Sequence, residues 1–437
     1  MKKVLSTVAA LGLVAGLATT ASAVEFKMSG MYLVEGAYLS DGSGNGVNPT
    51  EEVGEDNLSD NYYLHTFEMK PTMKVNDKIS MTSVIRLADD TFWGNQVDGD
   101  LAADRNIGGA NSDVEVWQLY MDYASPIGKM KLGRTSAGAY GTGFRDFDSR
   151  ANRVMLYPSF LADGPWSTLF YVEKVTENSV TANSQTANDS DKYVGRVYYK
   201  NENLDSGLHY GYYNDNDTAA HPTYTTSKQE LTAYGKYKMD NYFVNAELTH
   251  FFGEKDFVAA GTADRDYDSW AGMLQVGAKV DALTPSLMYF YGQGQDATST
   301  DIENALGETG TGDLFEPLYI LTGRHTGLLN NDLFNGMTGG MSTNGVHAIV
   351  AAADYAVSNQ LSLHGAIGWA KADEVAAGAD DSYGWEYNVG AAYKLLDNLT
   401  YEAHFGYLDA GEYFESAINA NDEQSIYILT HSLTMTF

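Results

Sequence analysis

Large apolar side chains alternate with polar or small ones in runs of about ten residues from position 26 to the end of the chain. Phe26, Met28, Tyr32, Val34 and Tyr38 share one parity, and Lys27, Ser29 and Glu35 share the other. A strand turns successive side chains to opposite faces, so a period of two predicts strands with one apolar and one polar face. The next run sets Phe67, Met69, Met73 and Val75 against Thr66, Glu68, Lys70 and Lys74. It turns at Asn76-Asp77 and returns through Ile79, Met81, Ile85 and Leu87, with Ser80, Thr82 and Arg86 on the polar side. Late stripes are the cleanest: Trp385, Tyr387, Val389, Ala391 and Tyr393, then Leu399, Tyr401, Ala403, Phe405 and Tyr407. Aromatics at both ends with smaller residues between them match an interfacial girdle. A sandwich sheet packed on a second sheet gives no reason for that arrangement.

Short turns recur at Ser125-Pro126-Ile127-Gly128, Leu161-Ala162-Asp163-Gly164, Asn203-Leu204-Asp205-Ser206, Met239-Asp240-Asn241, Asp281-Ala282-Leu283-Thr284, Val357-Ser358-Asn359 and Leu396-Asp397-Asn398. With Asn76-Asp77 they predict eight hairpin turns, hence nine long loops and eighteen strands. Sixteen strands is the competing count. The loops, such as 41–61, 89–112, 176–191, 214–227 and 253–267, are rich in Asp, Asn, Gly, Ser and Thr, which bind water and turn readily. Short turns on one side and long loops on the other predict an all-β transmembrane antiparallel barrel, with periplasmic turns and extracellular loops.

Lys2 and Lys3, the apolar run 4–18 and Ala21-Ser22-Ala23 have the form of a secretory leader over 1–23, leaving one barrel domain over 24–437. No later segment reaches the ~18 consecutive apolar residues of a spanning helix, so a membrane crossing must be made by a closed barrel. The formal charge of −31 becomes −33 once two leader lysines are removed, which argues against nucleic acid as a partner. Cysteine is absent, excluding disulfides and thiolate metal sites, and no cofactor is expected. The 31 Tyr and 44 Gly suit aromatic girdles and a curved wall.

Three places resemble the Gram-negative porins. One is the leader together with terminal Phe437 and the alternating Met435 and Leu433, similar to the signal read by the barrel assembly machinery. The second is Gly128-Lys129-Met130-Lys131-Leu132-Gly133-Arg134, similar to the strand that leads into the inward-folded third loop. The third is Arg153-Val154-Met155-Leu156-Tyr157-Pro158 followed by Leu169-Phe170-Tyr171, similar to the next hairpin. Two departures are the strand number, since general diffusion porins have sixteen, and the length of 293–344. The first leaves a substrate-selective channel open, because sugar and amino-acid channels of similar type have eighteen strands. The resemblance implies an outer-membrane location, contact with lipid and lipopolysaccharide, a homotrimer, and passive diffusion of ions and small hydrophilic solutes.

Such a pore does no covalent chemistry; size and a transverse field at a loop-narrowed point select what passes. The third loop is expected over 135–149, with Gly138, Gly141 and Gly143 for bends. By resemblance Asp146 and Asp148, in the run that begins at Arg145 and ends at Arg150, are its acidic side, and Arg134 belongs to the basic wall. Parity adds Lys27, Lys70, Arg86, Lys131 and Arg196, with Glu35, Glu68, Glu115 and Glu247 opposing them. Lys129 and Lys131 have the parity opposite to Arg134, so either a bulge intervenes or Arg134 lies beyond the strand. The apolar stretch around Leu314-Phe315-Glu316-Pro317-Leu318-Tyr319-Ile320-Leu321 is read as a self-packed surface lobe; the other readings are a lumenal constriction, a cover over the mouth and a protomer contact. Asp264-Arg265-Asp266-Tyr267-Asp268 lacks the spacing of a calcium loop. No Gly-x-Ser-x-Gly or His-Glu-x-x-His pattern is present. A structural or adhesive barrel is the rival from another class.

Overall fold

A computed structural model describes residues 24–40, 60–93, 114–146, 149–161, 164–176, 189–216, 223–258, 261–304, 315–323, 344–413 and 425–437. The leader at 1–23 and most of the long loops lie outside them. The first six strands are β1 (Glu25–Leu39), β2 (Asp60–Lys74), β3 (Ile79–Phe92), β4 (Glu115–Ser125), β5 (Gly128–Ser136) and β6 (Arg150–Pro158). Next come β7 (Trp166–Thr176), β8 (Ser190–Lys200), β9 (Leu204–Asp215), β10 (Tyr224–Met239), β11 (Tyr242–Phe257) and β12 (Arg265–Ala278). The last are β13 (Leu283–Gly292), β14 (Val346–Ala356), β15 (Leu361–Lys371), β16 (Ser382–Leu396), β17 (Leu399–Ala410) and β18 (Ser425–Thr436).

Each strand pairs antiparallel with its neighbours in sequence, and β1 also pairs with β18, so the eighteen strands close into one transmembrane barrel. The eight hairpin turns predicted from the sequence fall between the expected strand pairs, Ala162 and Asp163 of one of them lying outside the described residues. Seam register runs from Met31 opposite Thr436 to Leu39 opposite Ile428. Beyond it Phe437 still pairs, its N–H donating to the Gly30 carbonyl at 3.1 Å while the Gly30 N–H donates to the Phe437 carbonyl at 2.9 Å. The terminal phenyl lies over Gly30, where a Cβ would come within 2.4 Å of its ring, and beside Phe67 at 6.3 Å. Only glycine fits beneath that ring.

Parity sorts the two faces as alternation requires. Outward positions are apolar and exposed, as at Val389, Leu429 and Val154; inward ones carry most of the charge. The outer apolar stripe spans five positions on β16, from Trp385 to Tyr393. On β5 it shrinks to Met130 and Leu132 before Arg134 and Ser136, and on β6 to Leu156 and Val154 before Asn152. A barrel in lipid carries an apolar band of about 25 Å. Arg134 stands about 15 Å above its periplasmic turn, from its place in β5 and a strand tilt near 40°.

Deleting Phe437 removes two seam hydrogen bonds of about 0.5–1.5 kcal/mol each, and Gly30→Val blocks the phenyl seat. Both changes are expected to lower the folded, heat-modifiable fraction on unheated gels and to impair membrane insertion more than conductance. Folding and insertion at the level of the natural chain in both variants would refute this account of the seam.

Candidate pore constriction

The third loop leaves the wall after β5 and turns inward at Gly138, Gly141 and Gly143, whose φ values of +76°, +78° and +113° favour glycine. Wall side chains satisfy its backbone. Arg196 donates to the carbonyls of Ala137 and Gly138, both at 3.2 Å, and to His209 Nδ1 at 2.9 Å. Lys236 Nζ donates to the Gly141 carbonyl at 2.7 Å. Glu247 Oε2 accepts both the N–H and the hydroxyl of Thr142, at 2.6 and 2.7 Å. A Cβ on Gly141 would come within 2.5 Å of that same oxygen, so Gly141 is required for space as well as for angle.

Tyr140 packs among Tyr198, His209 and Tyr234 and donates its hydroxyl to the Thr232 carbonyl at 2.8 Å. Burial pushes its phenol well above the ordinary range, with Glu247 adding to the shift, so it stays a neutral donor. Phe144 is fully buried against Phe290 and Phe315. Arg145 is buried beside Glu230 at 3.8 Å and over the Phe251 ring at 5.1 Å, which makes it an anchor. Asp146 Oδ1 accepts the Tyr140 N–H at 2.9 Å and ties the loop to itself. Asp148 lies outside the described residues.

A second segment also enters the barrel. Residues 315–323 bury Phe315, Leu318, Ile320 and Leu321 against the inner wall of β14–β17. The expectation of a surface lobe is corrected here: the lumenal floor is built of small residues, Ala348, Gly368, Ala370 and Gly406, and the apolar turn fills the space they leave. Phe315 meets Phe144 at 5.1 Å, so the two inward segments touch. Tyr319 shares a hydrogen bond with His404 Nδ1 at 2.9 Å, and burial raises its phenol as well.

Charge divides across the lumen. Over the third loop, a cavity of about 490 Å³ is lined by Lys192, Lys228, Lys255, Tyr213, Tyr224 and Tyr267. Lys255 Nζ sits 3.8 Å over the Tyr224 ring, and Lys228 Nζ is 5.6 Å from the Tyr267 ring. Glu173, Glu230 and Asp215 line it too; Glu173 pairs with Arg153 at 2.7 Å, Glu230 faces Arg145, and Asp215 accepts the Ser190 hydroxyl. In a closed ring of eighteen, β10 lies opposite β1. There a cavity of about 260 Å³ is lined by Glu35, Glu316, Glu402, Tyr319 and His404.

The other charges predicted from the sequence scatter. Glu68, Lys70 and Arg86 face inward on β2 and β3; Arg86 pairs with Glu68 at 3.2 Å and with Asp89. Arg86 and Arg150 both stack on Trp117, whose ring turns inward at a register shift between Val84 and Ile85. Lys131 faces inward, its Nζ 4.5 Å from the Tyr120 ring. Arg134 does not: it pairs with Leu119, an exposed outer-face residue, and donates Nε to the Trp117 carbonyl at 3.1 Å. Its place in the basic wall is therefore corrected, because β5 runs without a bulge through Arg134 to Ser136. Sequence reasoning missed Lys192, Lys228, Lys255, Glu316 and Glu402, although strand parity would have turned the three lysines inward. Among the described residues no three His, Cys, Asp or Glu side chains converge as a metal site.

No family model matches the chain, and no curated protein matches it in sequence. Among solved structures, Pseudomonas aeruginosa OccK8 (OprE) aligns with a TM-score of 0.54 at 12% identity over 94% of this chain and 98% of that one. Pseudomonas aeruginosa OpdK with vanillate gives 0.53 at 12% over 94% and 99%. A BenF-like porin from Pseudomonas fluorescens Pf-5 gives 0.52 at 12%, again over 94% and 99%. At such identity the likeness is one of fold: this chain has the fold of the porin barrels.

Glu247→Ala leaves two donors of Thr142 without their carboxylate and should destabilise the loop by about 1.5–3 kcal/mol. Limited proteolysis of the folded barrel is expected to cut within 135–149 in this variant first; equal resistance in both proteins would show that Glu247 does not hold the loop.

Proposed function

We propose that the protein is an outer-membrane porin, a water-filled channel for passive diffusion of ions and small hydrophilic solutes. The observation that carries this reading is a closed eighteen-stranded wall with polar inward residues, narrowed by two segments that dock on the wall. Eighteen strands enclose more space than wall side chains can fill. Solutes then pass between a lysine-bearing wall and a glutamate-bearing one, a transverse field that orders dipolar and charged solutes. Terminal Phe437, with Met435 and Leu433, serves as the assembly signal. The leader, which lies outside the described residues, carries the chain across the inner membrane.

A substrate-selective reading is favoured by the cavity over the third loop. Lysines poised over aromatic rings offer a cation for a carboxylate and a face for a ring. OpdK, similar in fold, has been solved with vanillate, an aromatic carboxylate. The net charge of −31 draws cations to the mouth. Exposed charges are screened within about 8 Å at physiological salt, so the nearer lysines govern this cavity.

The short apolar stripe on β5 and β6 supports assembly of copies through that face. An arginine near mid-membrane on a lipid face costs about 2–4 kcal/mol, whereas a polar neighbour can satisfy Arg134 and Asn152. Three copies is the number the resemblance implies.

Stepwise conductance in a planar bilayer is expected; folded protein that gives none sinks the channel reading. Lys228→Glu with Lys255→Glu should move the salt-gradient reversal potential toward cation preference, and benzoate should block current more than benzyl alcohol does. Arg134→Glu should shift the light-scattering mass in detergent from an oligomer toward one chain; an unchanged mass would remove this face from the interface.

A further inference from the structure

The lumenal face of β14–β17 is unlike the rest of the wall. Val346, Ala348 and Val350 on β14, Gly368 and Ala370 on β15, and Gly406 and Leu408 on β17 form an apolar floor of small and medium residues around one carboxylate, Glu386 on β16. Residues 315–323 lie on that floor as a casting lies in its mould. A Cβ on Gly368 would come within 2.7 Å of Leu318 Cδ2, one on Gly390 within 2.9 Å of the Tyr319 hydroxyl, and one on Gly406 within 3.3 Å of Tyr319 Cβ. Thr322 closes the turn, accepting the Leu318 N–H at 3.1 Å and donating to the Leu318 carbonyl at 2.8 Å.

Glu386 is wholly buried beneath this turn. Its two oxygens are divided between two consecutive backbone donors: Oε1 accepts the Ile320 N–H and Oε2 the Leu321 N–H, each at 2.8 Å. Apolar contact between Leu318, Leu321 and the floor is non-directional and would allow several poses. A carboxylate accepting two adjacent N–H groups fixes one, because each donor is expensive to leave unmade in a buried setting. On its far side the turn presents Phe315 to Phe144 of the third loop and to Phe290 of β13, both at 5.1 Å. The wall carboxylate therefore holds one inward segment directly and braces the tip of the other.

We propose that Glu386 is the positioning residue of the pore's second constriction, capturing the 315–323 turn through its backbone and so setting the aperture on the side away from Arg196, Lys236 and Glu247, which anchor the third loop. The aperture part of this rests on the porin reading; capture of the turn does not.

The chain has no cysteine, so Leu321→Cys reports alone. In folded barrels it should react slowly with a membrane-impermeant thiol reagent. Glu386→Ala removes the acceptor of both N–H groups, so labelling is expected to rise at least about tenfold. Gly368→Val spoils the Leu318 seat without touching the carboxylate and should raise labelling too, while heat-modifiable gel mobility verifies that each barrel is closed. Single-channel conductance should increase in the same variants. Unchanged labelling in both variants overturns the proposal, whatever the conductance does. Faster labelling with unchanged stepwise conductance overturns the aperture assignment, and faster labelling in a barrel that conducts nothing supports the capture while removing the porin reading.

Discussion

Backbone hydrogen bonding without an open edge is the constraint on which the structure depends. Within a membrane no water can satisfy a free strand edge, so the sheet must return to its own beginning. The return is made where β18 meets β1, and Phe437 extends that ladder to its last available pair with Gly30. Once the sheet closes, strand parity has a meaning: one set of side chains meets lipid and the other meets the lumen. The seam thereby decides which charges can act on a solute and which cannot.

Closure also creates a problem that the inward segments solve. A wall of eighteen strands leaves a lumen too wide for its own side chains to narrow, yet any chain entering it brings unpaired backbone groups. In this barrel charged wall residues meet those groups. Arg196 and Lys236 donate to carbonyls of the third loop, while Glu247 and Glu386 accept its N–H groups and those of the 315–323 turn. These residues are lost to the field of the pore because they are spent on its shape. Lys192, Lys228 and Lys255 line a cavity over the loop.

The fold was legible because period two and turn chemistry are local: Asn76-Asp77, Leu396-Asp397-Asn398 and the six other turns announce themselves within a few residues. The constriction was less so, because which wall residue meets which loop atom depends on register across many strands. Arg134 shows the limit. Its parity conflict with Lys129 and Lys131 was visible in the sequence, and the plain resolution, an outer-face arginine, follows once β5 is continuous to Ser136. Asp146, expected on the loop's acidic side, also accepts the Tyr140 N–H, a local loop bond that composition does not reveal. The late segment left a fainter mark, since alanine and glycine at inward positions such as Ala348, Gly368, Ala370 and Gly406 make little sense against water and good sense against a covering chain.

The two inward segments meet at Phe144 and Phe315, with Phe290 of the wall closing the group. The edge-to-face contacts of Phe315 with Phe144 and Phe290 contribute about 0.5–1.5 kcal/mol each beyond the area they bury, small beside the charged anchors on either side. The consequence is an ordering of strengths: each segment is held firmly to its own wall and weakly to the other. A disturbance at either anchor then passes through the phenyl contact as a shift in position, without freeing the partner segment. The aperture has two edges, each moored to its own stretch of wall, with a soft joint between them.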